Sequence, residues 1–296
     1  GDEGFVDLEG KSQSIEQILD RSGHTANEQF SLVGDLLAKE LQNNKVTILL
    51  GGAGTGKSTY LKRLGRCAWC EPTQVNLNEK FIPIYFELKN FMRAEGTTFS
   101  ERILHSWSMS GDFVLDTEIS TDFLTEWPAE TGSKILFLID GLDEVDIRRK
   151  PDLMRVLTQL LERFDGFPAV IASRTAHPLH GMKSLVGKEV QAIKINDVSD
   201  EIARGLCSAT LDPVHSKSFL QALSSSELSA LTTPLHLKIS ASYFLDNRKA
   251  LVQKNQLYEY MIASDIERAL SKSEVPHPIL ENQESIFQLL GQMFVQ

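Results

Sequence analysis

Val46-Thr47-Ile48-Leu49-Leu50-Gly51-Gly52-Ala53-Gly54-Thr55-Gly56-Lys57-Ser58-Thr59 is the stretch whose reading decides the fold. Val46 to Leu50 is a short apolar run, the pattern of a strand buried on both faces. The rest fits G-x-x-x-x-G-K-[ST] and lies between that strand and a helix expected from about Lys57. Glycines let successive backbone N–H groups converge on phosphates without Cβ clashes, and the helix start adds its positive dipole end. The sequence therefore predicts a phosphate-binding loop that starts at Gly51. Gly52, Ala53, Gly54, Thr55, Gly56, Lys57, Ser58 and Thr59 would hold ATP or ADP. Lys57 would reach the β and γ phosphates, and the Ser58 hydroxyl would ligate magnesium.

Hydrolysis needs a second magnesium contact and a group that activates water. Asp140 ends the apolar run Ile135 to Ile139. That places a carboxylate at the C-terminal edge of a parallel strand, where ligands of open α/β sheets bind, and Asp140 is the expected second metal contact. Asp143 and Glu144 follow in Gly141-Leu142-Asp143-Glu144. Either acid can orient or deprotonate water, and either can be a solvated acid of a turn or helix start. Arg174 follows the run Ala169 to Ala172 and Ser173, at the same sheet edge. It is a candidate sensor of the γ phosphate, although an arginine after a strand also reads as a surface ion pair.

Working outward, short apolar runs recur at Phe81 to Leu88, Ala169 to Ala172 and, more weakly, Val190 to Ile195, with helical stretches such as Pro151 to Arg163 between them. Strands alternating with helices predict an α/β fold with a parallel sheet covered by helices on both sides. Before the first strand, Ile15, Ile18 and Leu19, then Phe30 to Leu41, recur at helical spacing with a break at Ser22 and Gly23, predicting two lead-in helices. After Asn196 the periodicity is helical only: Val198 to Cys207, Lys217 to Leu223, Pro234 to Leu245, Gln256 to Leu270 and Gln283 to Phe294. The expected organisation is a lead-in over 1–43, a P-loop domain over 44–196, a helical domain over 197–272, and a further region over 273–296.

The 296 residues carry 30 Lys and Arg against 40 Asp and Glu, a net charge of -10, which disfavours binding of a nucleic acid polyanion. Three cysteines, Cys67, Cys70 and Cys207, are too few for a disulfide framework and point to a reducing compartment, so a cytoplasmic location is expected. No apolar run approaches the roughly 20 residues of a membrane helix. The chain starts at Gly1 and stops at Gln296 within a helical pattern, as expected of an excised piece.

Taken together, Gly51 to Thr59, Leu136-Phe137-Leu138-Ile139-Asp140-Gly141-Leu142-Asp143-Glu144 and Ile171-Ala172-Ser173-Arg174 resemble the NACHT branch of the STAND nucleoside triphosphatases. The Asp-Gly-Leu-Asp-Glu form is the most specific part of the resemblance. Leu231-Thr232-Thr233-Pro234-Leu235 is similar to the family's proline motif, which implies that Pro234 packs near adenine; a proline at a helix start is the plainer reading. Leu257-Tyr258-Glu259 looks like the helix before the family's winged-helix domain, so 273–296 is expected to begin that domain. The resemblance implies an ATP switch in which ADP holds a closed state and ATP exchange drives self-oligomerisation, with hydrolysis resetting the signal. Sensor and effector domains would lie outside these residues. The acidic motif is also similar to that of prokaryotic antiviral-defence members. The competing expectation is a continuously working ATPase of the AAA+ or DNA-loading type, for which Arg204 is the nearest candidate for a second arginine sensor.

Three further features carry plainer readings. Cys67-x-x-Cys70 lacks a second ligand pair for zinc and reads as buried. His177 and His180 read as polar surface. Arg148-Arg149-Lys150 reads as a solvated helix start rather than an arginine finger acting in trans.

Overall fold

Every residue of Val46–Leu50 is buried, as its composition requires. The computed structural model describes residues 8–14, 31–43, 46–110, 119–174 and 190–271. These fall into two compact units that meet in sequence at Asn196 and Asp197.

The first unit is built on a seven-stranded sheet of β1 (Glu9–Ser14), β2 (Ser31–Leu32), β3 (Val46–Leu50), β4 (Phe81–Glu87), β5 (Lys134–Asp140), β6 (Ala169–Ser173) and β7 (Val190–Ile195), in the order β2-β1-β7-β3-β6-β5-β4. Strands β7, β3, β6, β5 and β4 run parallel, with Leu50 level with Ser173 and Glu87 level with Asp140. The α/β fold expected from the alternation is therefore present. Strands β1 and β2 extend the sheet antiparallel beyond β7, and the sequence reading missed both.

Among the described residues the α-helices of this unit are α1 (Val33–Gln42), α2 (Lys57–Cys70), α3 (Leu88–Phe91), α4 (Phe99–Ser110), α5 (Phe123–Thr131) and α6 (Lys150–Arg163). Side chains two apart along a strand share a face. Ile48, Ile84, Phe137 and Ile171 pack into one cluster with Ile103 and Trp107 of α4, Phe123 of α5 and Leu153, Leu157 and Leu160 of α6. On the other face, α2 approaches so closely that a Cβ on Gly65 would lie 2.9 Å from Leu138 Cδ1. Each fully buried Leu, Ile or Phe contributes about 1.5–3 kcal/mol through the area it removes from water. This sandwich is what fixes the loops at the sheet edge.

Of the two lead-in helices, α1 is present, with Leu32 as its N-cap, and the stretch around Ile15 to Leu19 lies outside the described residues. So do His177, His180 and residues 273–296. Cys67 is buried, but Cys70 is exposed, which corrects the reading that both are buried.

The described residues of the second unit form helices only: α7 (Asp200–Thr210), α8 (Pro213–Ala222), α9 (Ser225–Ala230), α10 (Pro234–Asn247) and α11 (Lys254–Ser271). Ser199, Asp212, Ser224 and Thr233 cap α7 to α10 by accepting backbone N–H bonds. Such caps satisfy otherwise orphaned donors, at about 1 kcal/mol each. Phe219, buried against Phe244 at 5.5 Å between ring centroids, centres the core with Cys207, Leu237 and Leu257. Among the described residues no helix is long and apolar enough to cross a membrane.

Candidate functional site

Three adjacent parallel strands, β3, β6 and β5, deliver the candidate residues to one sheet edge. At the end of β3 the Gly51 N–H donates to the Ser173 carbonyl at 3.3 Å, tying the phosphate loop to the end of β6. A Cβ at Gly51 would lie 2.6 Å from Thr55 Oγ1, so any side chain there would force Thr55 to shift. Thr55 Oγ1 closes the loop by donating to Gly52 O at 3.0 Å. Gly56, with φ of 88°, caps α2, whose first turn presents Lys57, Ser58 and Thr59. Gly52, Ala53, Ser58 and Thr59 are exposed, and Gly54 and Lys57 half-buried.

The Lys57 ammonium donates to Gly51 O at 2.6 Å and Gly52 O at 2.8 Å. Burial, the largest influence, pulls its pKa below the usual lysine value. Asp143 opposes that shift, Arg174 adds to it, and Asp140 and Glu144 oppose it more weakly, so all five charges sit in one field. Asp140, only 8% exposed, ends β5 and accepts a hydrogen bond from Tyr85 Oη at 3.1 Å.

Gly141 has φ of 76°, and this left-handed turn starts the short 3-10 segment Leu142–Glu144. Its Cα faces the Glu144 side chain: a Cβ there would lie 3.3 Å from Glu144 Cδ. The acids diverge after that turn. Asp143 Oδ1 accepts the Arg174 backbone N–H at 2.7 Å, and Asp143 Oδ2 lies 3.5 Å from Arg174 Nε. Glu144 lies between two cations, Arg174 Nη2 at 3.3 Å and Lys89 Nζ at 3.2 Å. Its side chain is 35% exposed against 17% for Asp143.

The structure thus gathers Gly51 to Thr59, Asp140, Asp143, Glu144 and Arg174. Pro234 belongs to the helical unit, where it is the first residue of α10 behind the Thr233 cap. Arg204 lines a cleft between α7 and α8 with Ser208, Ser216 and Lys217. Arg148 is exposed and paired with Asp146, and Arg149 donates to Met92 O at 2.7 Å.

Tyr85, Glu87 and Lys89 were missed by the sequence reading. Their signal was available in form: polar residues at the end of the Phe81 run occupy the same strand edge as Asp140. Among the described residues no group of three or more His, Cys, Asp and Glu side chains is placed to hold a metal.

A family model described as NACHT domain matches residues 45–209, more than half of the chain. No curated protein sequence matches. Among solved structures, the Aeropyrum pernix ORC2 protein in ADPNP–ADP complexes is 11% identical, with 83% of this chain and 71% of that one covered at a TM-score of 0.45. CDC6P from Pyrobaculum aerophilum is 13% identical, with 83% and 70% covered at 0.42. Domain III of the Thermotoga maritima replication initiation protein DnaA is 16% identical, with 77% and 87% covered at 0.38.

Proposed function

The chain belongs to the NACHT-domain family, P-loop nucleoside triphosphatases, and from that premise we propose that it is a slowly hydrolysing, ATP-dependent oligomerisation switch. The observation that carries the proposal is the convergence of Lys57, Asp140, Asp143, Glu144 and Arg174 on one edge of three adjacent parallel strands. Backbone N–H groups of Gly52 to Thr59 cradle the phosphates of ATP or ADP, and Lys57 exchanges its loop carbonyls for the β and γ oxygens.

The donor set suits magnesium: an exposed Ser58 hydroxyl and the carboxylate of Asp140 are hard oxygen ligands, and magnesium completes its shell with water and phosphate. Bound there, the ion would neutralise charge on the β and γ oxygens. Tyr85 holds one oxygen of Asp140 and so orients its carboxylate.

Glu144, the more exposed acid, holds the attacking water, and Asp143 fixes Arg174, whose guanidinium stabilises the γ phosphate. Water oxygen bonds to the γ phosphorus while the β–γ bridging bond breaks and its electron pair leaves on ADP. Glu144 takes the water proton and returns it to the released phosphate.

In this reading ADP holds the closed state, ATP exchange drives self-association, and sensor and effector domains lie outside these residues. A cytoplasmic protein of prokaryotic antiviral defence fits that behaviour. The test is to denature the purified protein, identify released nucleotide by chromatography, then add ATP and magnesium and follow turnover and particle mass. Retained ADP, slow turnover and growth in mass on activation support the switch. Rapid steady turnover with no retained nucleotide would replace it with a working ATPase.

A further inference from the structure

The Lys89 ammonium lies between two carboxylates: 3.2 Å from Glu144 Oε2 and 3.4 Å from Glu87 Oε2. The register that sets Glu87 level with Asp140 places the β4 end beside the acidic turn, and Asn90 Nδ2 steadies Glu87 Oε2 at 3.0 Å. Glu144 in turn has its other oxygen, Oε1, on Arg174. Both of its oxygens therefore face cations. A carboxylate so held has the oxygens that would receive the attacking water already engaged by cations.

We propose that Lys89 is a positioning residue that restrains the water-activating acid, with Glu87 as the alternative partner that frees it. This rests on the reading that Glu144 activates water. With Lys89 on Glu144, Oε2 is occupied and hydrolysis is slow. When Lys89 turns to Glu87, Oε2 is released to hold the attacking water, which then loses its proton to Glu144 as above. The hydrogen bond to Glu144, the largest influence, holds the Lys89 pKa above the usual lysine value, so the latch stays charged across the working range. Lys89 is 45% exposed in its side chain, so its hold is that of an exposed ion pair.

Steady-state ATP hydrolysis by the full chain tests this with three substitutions of opposite expectation. Lys89→Met should raise kcat about two- to fivefold, the range an exposed pair can supply, with KM for ATP unchanged. Lys89→Arg should stay near wild type. Glu87→Gln removes the competing carboxylate and should lower kcat by a similar factor. A fall in kcat on Lys89→Met, an unchanged kcat in both Lys89→Met and Glu87→Gln, or a change confined to KM would overturn the restraint. Glu144→Gln, run alongside, separates the two readings: if it still hydrolyses ATP, the assignment of the base fails, whatever Lys89 does.

Discussion

Gly141→Ala tests how the acidic turn positions its glutamate. The residue has φ of 76°, and a side chain there would lie 3.3 Å from Glu144 Cδ and 3.4 Å from Oε2. Two costs follow. Alanine in the left-handed region costs about 1–2 kcal/mol. The new methyl also pushes the Glu144 carboxylate by a few tenths of an ångström, a fraction of the displacement of about 1 Å that can cost about 100-fold in rate. Gly166→Ala is the matched control: φ is 89°, yet nothing lies within 4 Å of its added Cβ. Both variants should lose about 1–2 kcal/mol in urea unfolding of the P-loop unit. Only Gly141→Ala should lose hydrolysis, by about three- to tenfold, while binding of a fluorescent ATP analogue stays intact. If the two variants hydrolyse ATP equally well, the turn does not position Glu144 and the argument fails.

Three further outcomes are expected. Gly65→Ala places a methyl 2.9 Å from Leu138 Cδ1 between α2 and the sheet; overpacking of this kind costs about 1–3 kcal/mol, read as a lower urea midpoint. His236 is buried, with Nε2 3.1 Å from Tyr258 Oη, and burial, reinforced by Lys254, pulls its pKa below the usual 6.5. Its stabilisation is therefore whole above about pH 6.5 and is lost as pH falls toward the depressed value, because the unfolded chain takes up the proton first. His236→Gln should flatten that fall in thermal melts between about pH 7 and 5. Lys57→Ala should abolish nucleotide binding, with a thermal melt measured without nucleotide as the check that the loop still folds.

Much of the fold was legible because burial imposes composition. A strand covered on both faces has no room for charge, so β3, β5 and β6 announce themselves as largely apolar runs, and Asp140 and Ser173, the last residues of β5 and β6, mark the sheet edge. Helices α6 and α10 were legible from periodicity and from prolines at their starts. By contrast β1, Glu9-Gly10-Lys11-Ser12-Gln13-Ser14, carries neither an apolar run nor an alternation. Its place comes from backbone pairing with β7, which leaves no mark on side chains. The strand order was equally silent, since loops of similar length permit several crossovers, yet it sets β6 between β3 and β5 and so brings Arg174 to Asp143. Lys89 and Glu144 are 55 residues apart, and only the register of β4 on β5 makes them neighbours. Cys70 illustrates the opposite error: a helical cysteine three residues after a buried one turns outward at the end of α2.

The most direct measurement is equilibrium binding of ATP by calorimetric titration, with and without magnesium, to the wild-type chain and to Asp140→Asn. On the proposed function, magnesium should strengthen ATP binding to the wild type and do so far less for Asp140→Asn, in which the carboxylate proposed as its protein anchor is gone. Binding that ignores magnesium in both proteins, or no binding of ATP at all, would contradict the assignment of this sheet edge as a magnesium nucleotide site.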